Sequence, residues 1–147
     1  MIKKIENYLF SDCIKCRHYG LLILRLGIAL LMVTNHGWSK LTDGPEGWAK
    51  LGEFGMPYLG INFFFTFFGF IAAISESIGA LCIGLGLFFR PAAFLLTITM
   101  LAGANMHIMT GKGNPELALV YALSSAALLL IGPGEFSLDK KLFKSKE

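Results

Sequence analysis

The chain has 147 residues, 54% of them hydrophobic and 16% charged, with a mean hydropathy of +0.61 and a formal net charge of +3. That balance excludes an ordinary soluble domain, which carries more charge and fewer apolar residues. The basic residues sit mostly at the two ends with no basic stripe or recognition motif, which excludes nucleic acid and makes a lipid bilayer the expected partner.

Residues 2 to 16 space Ile2, Ile5, Leu9, Cys13 and Cys16 near a helical period, with Lys3, Lys4, Glu6 and Lys15 elsewhere around the helix. This predicts an N-terminal amphipathic helix lying at the inner membrane surface. Crossing the hydrocarbon takes about 20 mostly apolar residues. The first stretch to qualify is 19–35, interrupted only by Arg25. Asn35-His36-Gly37-Trp38 follows it in place of a small-residue cleavage site, so it reads as a retained span and not a signal peptide. Residues 42–60 read as an outer loop in which Trp48, Phe54 and Tyr58, together with Trp38, are interfacial anchors. A second span covers 62–89 and contains Glu76. Arg90-Pro91 breaks the run, and a third span over 91–109 starts with proline at its first helical position. The fourth covers 115–131 and is closed by Gly132-Pro133-Gly134. The prediction is an all-α membrane protein, one domain over 1–147, built as a four-transmembrane-helix bundle.

Orientation follows from the lysines and arginines of the short loops. Nine lie at the termini and the Arg90 turn, against three (Lys40, Lys50 and Lys112) on the other side. The expected location is the bacterial cytoplasmic (inner) membrane, multi-pass, with both termini in the cytoplasm.

A charged residue at mid-helix costs roughly 2.5–3.5 kcal/mol on insertion scales, so such groups turn inward and find partners. Arg25 and His36 are eleven residues apart, about three turns, and share a face. Glu76 lies on the small-residue face of Gly69, Ala72, Ala73, Gly79 and Ala80, which permits close helix approach. His107 shares its face with Met100, Gly103 and Ala104. By the helical rise, Arg25 lies roughly 12 Å in from the inner surface, Glu76 about 21 Å, His107 about 26 Å and His36 about 29 Å. The four form a candidate polar column toward the outer mouth, in which Arg25 is expected to pair with Glu76. The column reads equally as interhelical glue and as a ligand, quinone or proton site, and His36 reads also as an interfacial residue. Asn114-Pro115-Glu116 reads as a cap, first-position proline and first-turn acid, a structural role for Glu116.

Cys13-Ile14-Lys15-Cys16 is a C-x-x-C, a candidate redox dithiol, although two reduced thiols are the default on a cytoplasmic face. Arg17 stands where c-type haem attachment needs histidine, and the stretch offers too few ligands for a tetrahedral metal, so no metal site is predicted. No phosphate-binding loop, zinc-protease motif or nucleophile elbow is present.

Leu24-Arg25 with Gly27, then His36-Gly37-Trp38-Ser39-Lys40-Leu41, then Glu76, Gly79, Leu81, Gly84, Leu85 and Gly86 leading to Arg90, and finally Gly132-Pro133-Gly134-Glu135-Phe136-Ser137-Leu138-Asp139 recur in this order and spacing in a known group. In these segments the chain resembles the DoxX family of small four-helix membrane proteins. The resemblance implies association with membrane oxidoreductase complexes, but it supplies no catalytic set, and the C-x-x-C lies outside the shared pattern. With the inward polar column, it points to a subunit or accessory of a quinone-linked redox complex, more a non-catalytic subunit than a stand-alone enzyme. A quinone touching Arg25, Glu76 and His107 is the cofactor this reading brings, and another membrane protein or a second copy is the partner. The alternatives are an assembly or chaperone-like membrane protein and a small-molecule or proton carrier.

Overall fold

The structure is a computed structural model that describes residues 14–143. The described residues are helical throughout, without strands. Most of the amphipathic segment expected over 2–16 lies outside them. Helix α1 (Ile14–Met32) runs without a break through a π segment (Val33–Gly37) into α2 (Trp38–Thr42). Helix α3 (Gly44–Gly55) and a 3-10 turn (Met56–Leu59) follow, then α4 (Phe65–Ile74), a second π segment (Ser75–Gly79) and α5 (Ala80–Leu85). Helices α6 (Phe89–Thr110), α7 (Pro115–Ile131) and the short α8 (Leu138–Leu142) complete the chain.

Three of the continuous helices are long and apolar enough to cross a membrane: Cys16–Thr42, Phe65–Leu85 and Phe89–Thr110. Pro115–Ile131 is a shorter apolar helix. The first helix outruns the expected 19–35 because the polar run Thr34-Asn35-His36 does not stop it. In the π segment the Thr34 hydroxyl donates to the Leu30 carbonyl at 2.7 Å and the Asn35 amide to that of Leu31 at 2.9 Å, taking up acceptors that the altered ladder leaves free. The second span is shorter than 62–89. Gly86, at φ +68°, ends α5 in the left-handed conformation that glycine adopts without strain. Helix α6 then starts at Phe89, two residues before Pro91. The capping acid is Asp139, whose carboxylate accepts from the Phe88 and Phe89 backbone N–H groups at 2.8 and 2.9 Å. At α7 the Asn114 side chain accepts from the Glu116 N–H at 2.9 Å and Pro115 fills the first position, the cap read from the sequence.

Residues 42–60 are not a loop. Helix α3 lies against α4, and the approach depends on glycine, since a Cβ at Gly52 would overlap the backbone of Phe65 and one at Gly69 the carbonyl of Trp48. Trp48 is half-buried and not a surface anchor: its ring meets Phe70 at 4.5 Å and its indole N–H donates to the Lys40 carbonyl at 2.9 Å.

The core lies between α1, α5, α6 and α7, with Met32, Ile83, Phe89, Leu96 and Leu128 fully buried. The hydroxyls of Thr97 and Ser125 meet at 2.9 Å across α6 and α7. The two π segments pack against each other, and a Cβ on Gly37 would overlap the backbone of Glu76 and Ser77. Gly37→Val should therefore destabilise the protein by about 1–3 kcal/mol, the usual range for overpacking. The check is unfolding of the detergent-solubilised protein, and an unchanged midpoint would disprove the contact.

Candidate functional site

The inward-facing polar groups separate into two places. Arg25 is 1% exposed and belongs to the end of the bundle where α1 and α7 meet the α5–α6 turn. Its Nε donates to the Ile83 carbonyl at 3.1 Å, and its Nη2 to those of Gly84 at 2.9 Å and Phe136 at 3.2 Å. Its Nη1 donates to the Pro133 carbonyl, and the guanidinium stands 5.6 Å from the centre of the Phe89 ring. The expected Arg25–Glu76 pair is thus absent. Ile83 and Gly84 lie in the last turn of a helix, where carbonyls have acceptor capacity to spare (that of Ile83 also accepts from the Gly86 N–H at 3.2 Å), and they lie two turns from Glu76, level with Arg25. The Gly132–Asp139 segment belongs to the same cluster: Ser137 caps α8 by accepting from the Lys140 N–H at 3.2 Å, and Asp139 caps α6. This end is a structural hub.

Glu76 pairs instead with Lys40, whose ammonium lies 2.7 and 2.6 Å from the two carboxylate oxygens. The Glu76 side chain is 4% exposed and that of Lys40 30%. Both line a cavity of about 350 Å³ in the half of the bundle away from Arg25, together with His36, His107 and Tyr121. Each π segment contributes one member, His36 from the first and Glu76 from the second, and such segments are frequent at functional sites. The His36 and Tyr121 rings meet edge to face with centres 6.3 Å apart. His107 Nδ1 is 2.7 Å from the Lys112 carbonyl, which fixes the ring at the cavity edge. The rest of the wall is largely apolar, including Met32, Phe68, Leu95, Met100 and Met106. Among the lining residues, Phe54, Leu59, Ile98 and Leu117 are exposed, as is Asn114 in the α6–α7 loop.

Three of the four residues of the expected column, His36, Glu76 and His107, thus share one cavity, and Arg25 does not line it. Lys40 is the member that sequence reasoning missed. It was counted as an outer-loop charge, yet it follows His36 by four positions and so shares its helix face. Cys16 is disulfide-bonded, while Cys13 lies outside the described residues. Cys82 is a free, half-buried thiol distant in sequence from both.

Apolar spans, an all-helical core and a cavity walled by hydrocarbon side chains define a multi-pass helical membrane protein. The family model for DoxX matches residues 20–109, and the chain belongs to the DoxX family. A Haemophilus influenzae protein named "Uncharacterized protein" is 32% identical, over 88% of this chain and 96% of its own. A Bacillus subtilis protein named "Putative oxidoreductase CatD" is 30% identical, over 87% of this chain and 90% of its own. No solved structure matches.

The two clusters should respond differently to substitution. Arg25→Met leaves four carbonyls without their donor and should cost about 3 kcal/mol or more. Glu76→Gln should cost about 1 kcal/mol or less, because the Lys40 ammonium can turn along its stem to water. Denaturant unfolding of both variants in one detergent measures the contrast, and equal losses would refute this division of roles.

Proposed function

We propose that this protein is a subunit or accessory of a quinone-linked redox complex in the bacterial cytoplasmic membrane, and that the cavity holds the quinone ring. The observation that carries the reading is the Lys40–Glu76 pair, its carboxylate buried and its ammonium half-buried, at the wall of an otherwise apolar cavity. A site of about 350 Å³ is within the roughly 300–1,000 Å³ range of ligand pockets, apolar with a few convergent polar groups. Lys40, His36 and Tyr121 offer donors to ring oxygens, while Met32, Phe68 and Met100 suit the ring faces. Ile98 supports a lipid-borne ligand. It lines the cavity and is exposed nine residues into α6, roughly 14 Å from that helix's start, a depth within the hydrocarbon where an apolar ligand could enter from lipid. The name of the Bacillus subtilis relative points the same way.

In this reading α7 is the fourth crossing. Its 17 residues rise roughly 26 Å, and the loop after it returns to Arg25 at the end where α1 begins. Arg17, Arg90, Lys140 and Lys141 gather at that end and Lys40, Lys50 and Lys112 at the other, which supports cytoplasmic termini by the positive-inside rule. The redox partner is another membrane protein or a second copy.

The test is purification from native membrane into lipid nanodiscs, followed by quinone extraction and mass spectrometry. The wild type should carry quinone. Lys40→Met and Glu76→Gln should each weaken binding of added short-chain ubiquinone at least tenfold, about 1.4 kcal/mol. Wild-type protein that neither carries nor binds quinone would sink the proposal.

A further inference from the structure

A second cavity, of about 430 Å³, lies on the outer side of the first and is lined by Lys40, Asp43, Gly47, Lys50, Leu51 and Phe54. Asp43 and Lys50 are exposed, so this is a charged vestibule open to water. The two cavities share three residues of wall: Lys40, Leu51 and Phe54. Leu51 and Phe54 have no group that exchanges a proton. Glu76 faces only the inner cavity, and Lys40 faces both. His36 from the first π segment, His107 from α6 and Tyr121 from α7 line the inner cavity alone, and Asp43 and Lys50 the vestibule alone. Of the ionisable groups lining either cavity, Lys40 is therefore the one common to both, and its ammonium is in direct contact with Glu76.

We propose that the Lys40–Glu76 ion pair is a proton port, joining a ring bound in the apolar cavity to water in the vestibule on the face away from Arg25. The proposal rests on the reading of the inner cavity as a quinone site. Interconversion of quinone and quinol moves two electrons and two protons, and an apolar wall gives the protons no path. In the oxidising direction a quinol O–H bond breaks and its proton goes to a Glu76 oxygen. The accompanying electron leaves to a one-electron redox centre of the partner subunit. Protonated Glu76 no longer holds Lys40 as a counter-ion, and the ammonium releases a proton to vestibule water beside Asp43. Glu76 then passes its proton to the neutral Lys40 amine, which restores the pair. A second pass removes the second proton and electron. Reduction runs the same steps backwards. Arg25, tied to four carbonyls at the other end, takes no part.

The experiment is electrochemical reduction and reoxidation of ubiquinone bound to the nanodisc protein, followed by infrared difference spectroscopy in H₂O and D₂O. Quinone is raised to saturate each variant. Followed in time during reoxidation, the wild type should show a carboxylic-acid carbonyl band that shifts in D₂O, rising as quinol is oxidised and decaying as the ion pair is restored. Glu76→Gln should abolish the band and Glu76→Asp displace it, which keeps the assignment testable if the glutamine variant fails to fold. Lys40→Met should keep the band but slow its decay at least tenfold. Bound quinone that cycles in the wild type without a carboxyl band, or a band that survives Glu76→Gln, overturns the port while leaving the quinone site standing. Wild-type protein that binds no quinone overturns both.

Discussion

The bundle depends first on how it accommodates the Arg25 guanidinium, a cation buried among helices with no carboxylate bonded to it. Its solution is a set of backbone carbonyls, two from the last turn of α5 and two from the Gly132–Ser137 segment. A helix C-terminus carries a partial negative charge and free acceptors, so the cation and the helix end satisfy each other. Removal of either partner would strand the other in a dry interior. That reciprocity fixes the axial position of α1 against α5 and draws the chain beyond α7 back beneath them. Asp139, brought in by the same segment, then holds the start of α6. One residue thus sets the level of all four long helical segments.

With the Arg25 end fixed, the other half of the bundle is free to depart from regular geometry. Both helices that carry a cavity residue on a π segment do so at the same level, where Gly37 lets the two backbones touch. A π segment weakens the regular ladder, and here Thr34 and Asn35 hydroxyl and amide groups compensate part of that loss. The departure turns His36 and Glu76 toward one space and leaves room beside α6 and α7 that side chains do not fill. Helix α3 roofs that space and Trp48, bonded to the Lys40 carbonyl, pins the roof to α2. Rigid packing at one end and irregular helices around a void at the other is a division of labour expected where a site breaks local rules that the scaffold keeps.

Three of the spans were legible because hydropathy needs only length and composition, and the cap at Asn114-Pro115-Glu116 because its chemistry is local. That Glu76 turns inward was legible from the small residues sharing its face, and that Arg25 does from the cost of a charge at mid-helix. Their partners were not. A carbonyl acceptor leaves no mark in a sequence, since every residue has one, so Arg25 was matched to the nearest opposite charge on a neighbouring helix. The depth estimate already separated the two by roughly 9 Å, six residues of rise, which a guanidinium stem bridges poorly. Lys40 was hidden by a different assumption, that polar residues after Asn35 mark the end of the helix. The π segment carries the helix on, and the i to i+4 relation with His36 then places Lys40 over Glu76. Residues 42–60 read as a loop because of their glycines, one of which, Gly52, serves close packing of α3 against α4.

The contrast between the buried Arg25 and the half-buried Lys40 bears on what Lys40 is for. A buried ion pair is a weak device for stability, since the desolvation of two charges offsets most of their attraction and apolar replacements are often as stable. Arg25 shows how this fold meets a structural need for a cation, with full satisfaction by carbonyls and almost no exposure. Lys40 and Glu76 are arranged otherwise. One side chain is nearly a third exposed to a watery vestibule and the other is buried facing an apolar cavity, with their charges in contact across the wall. As glue this is inferior to what the same chain achieves some two turns deeper. As a contact between a dry compartment and water it is well placed, because each charge stabilises the other until a proton or a ligand takes one of them away.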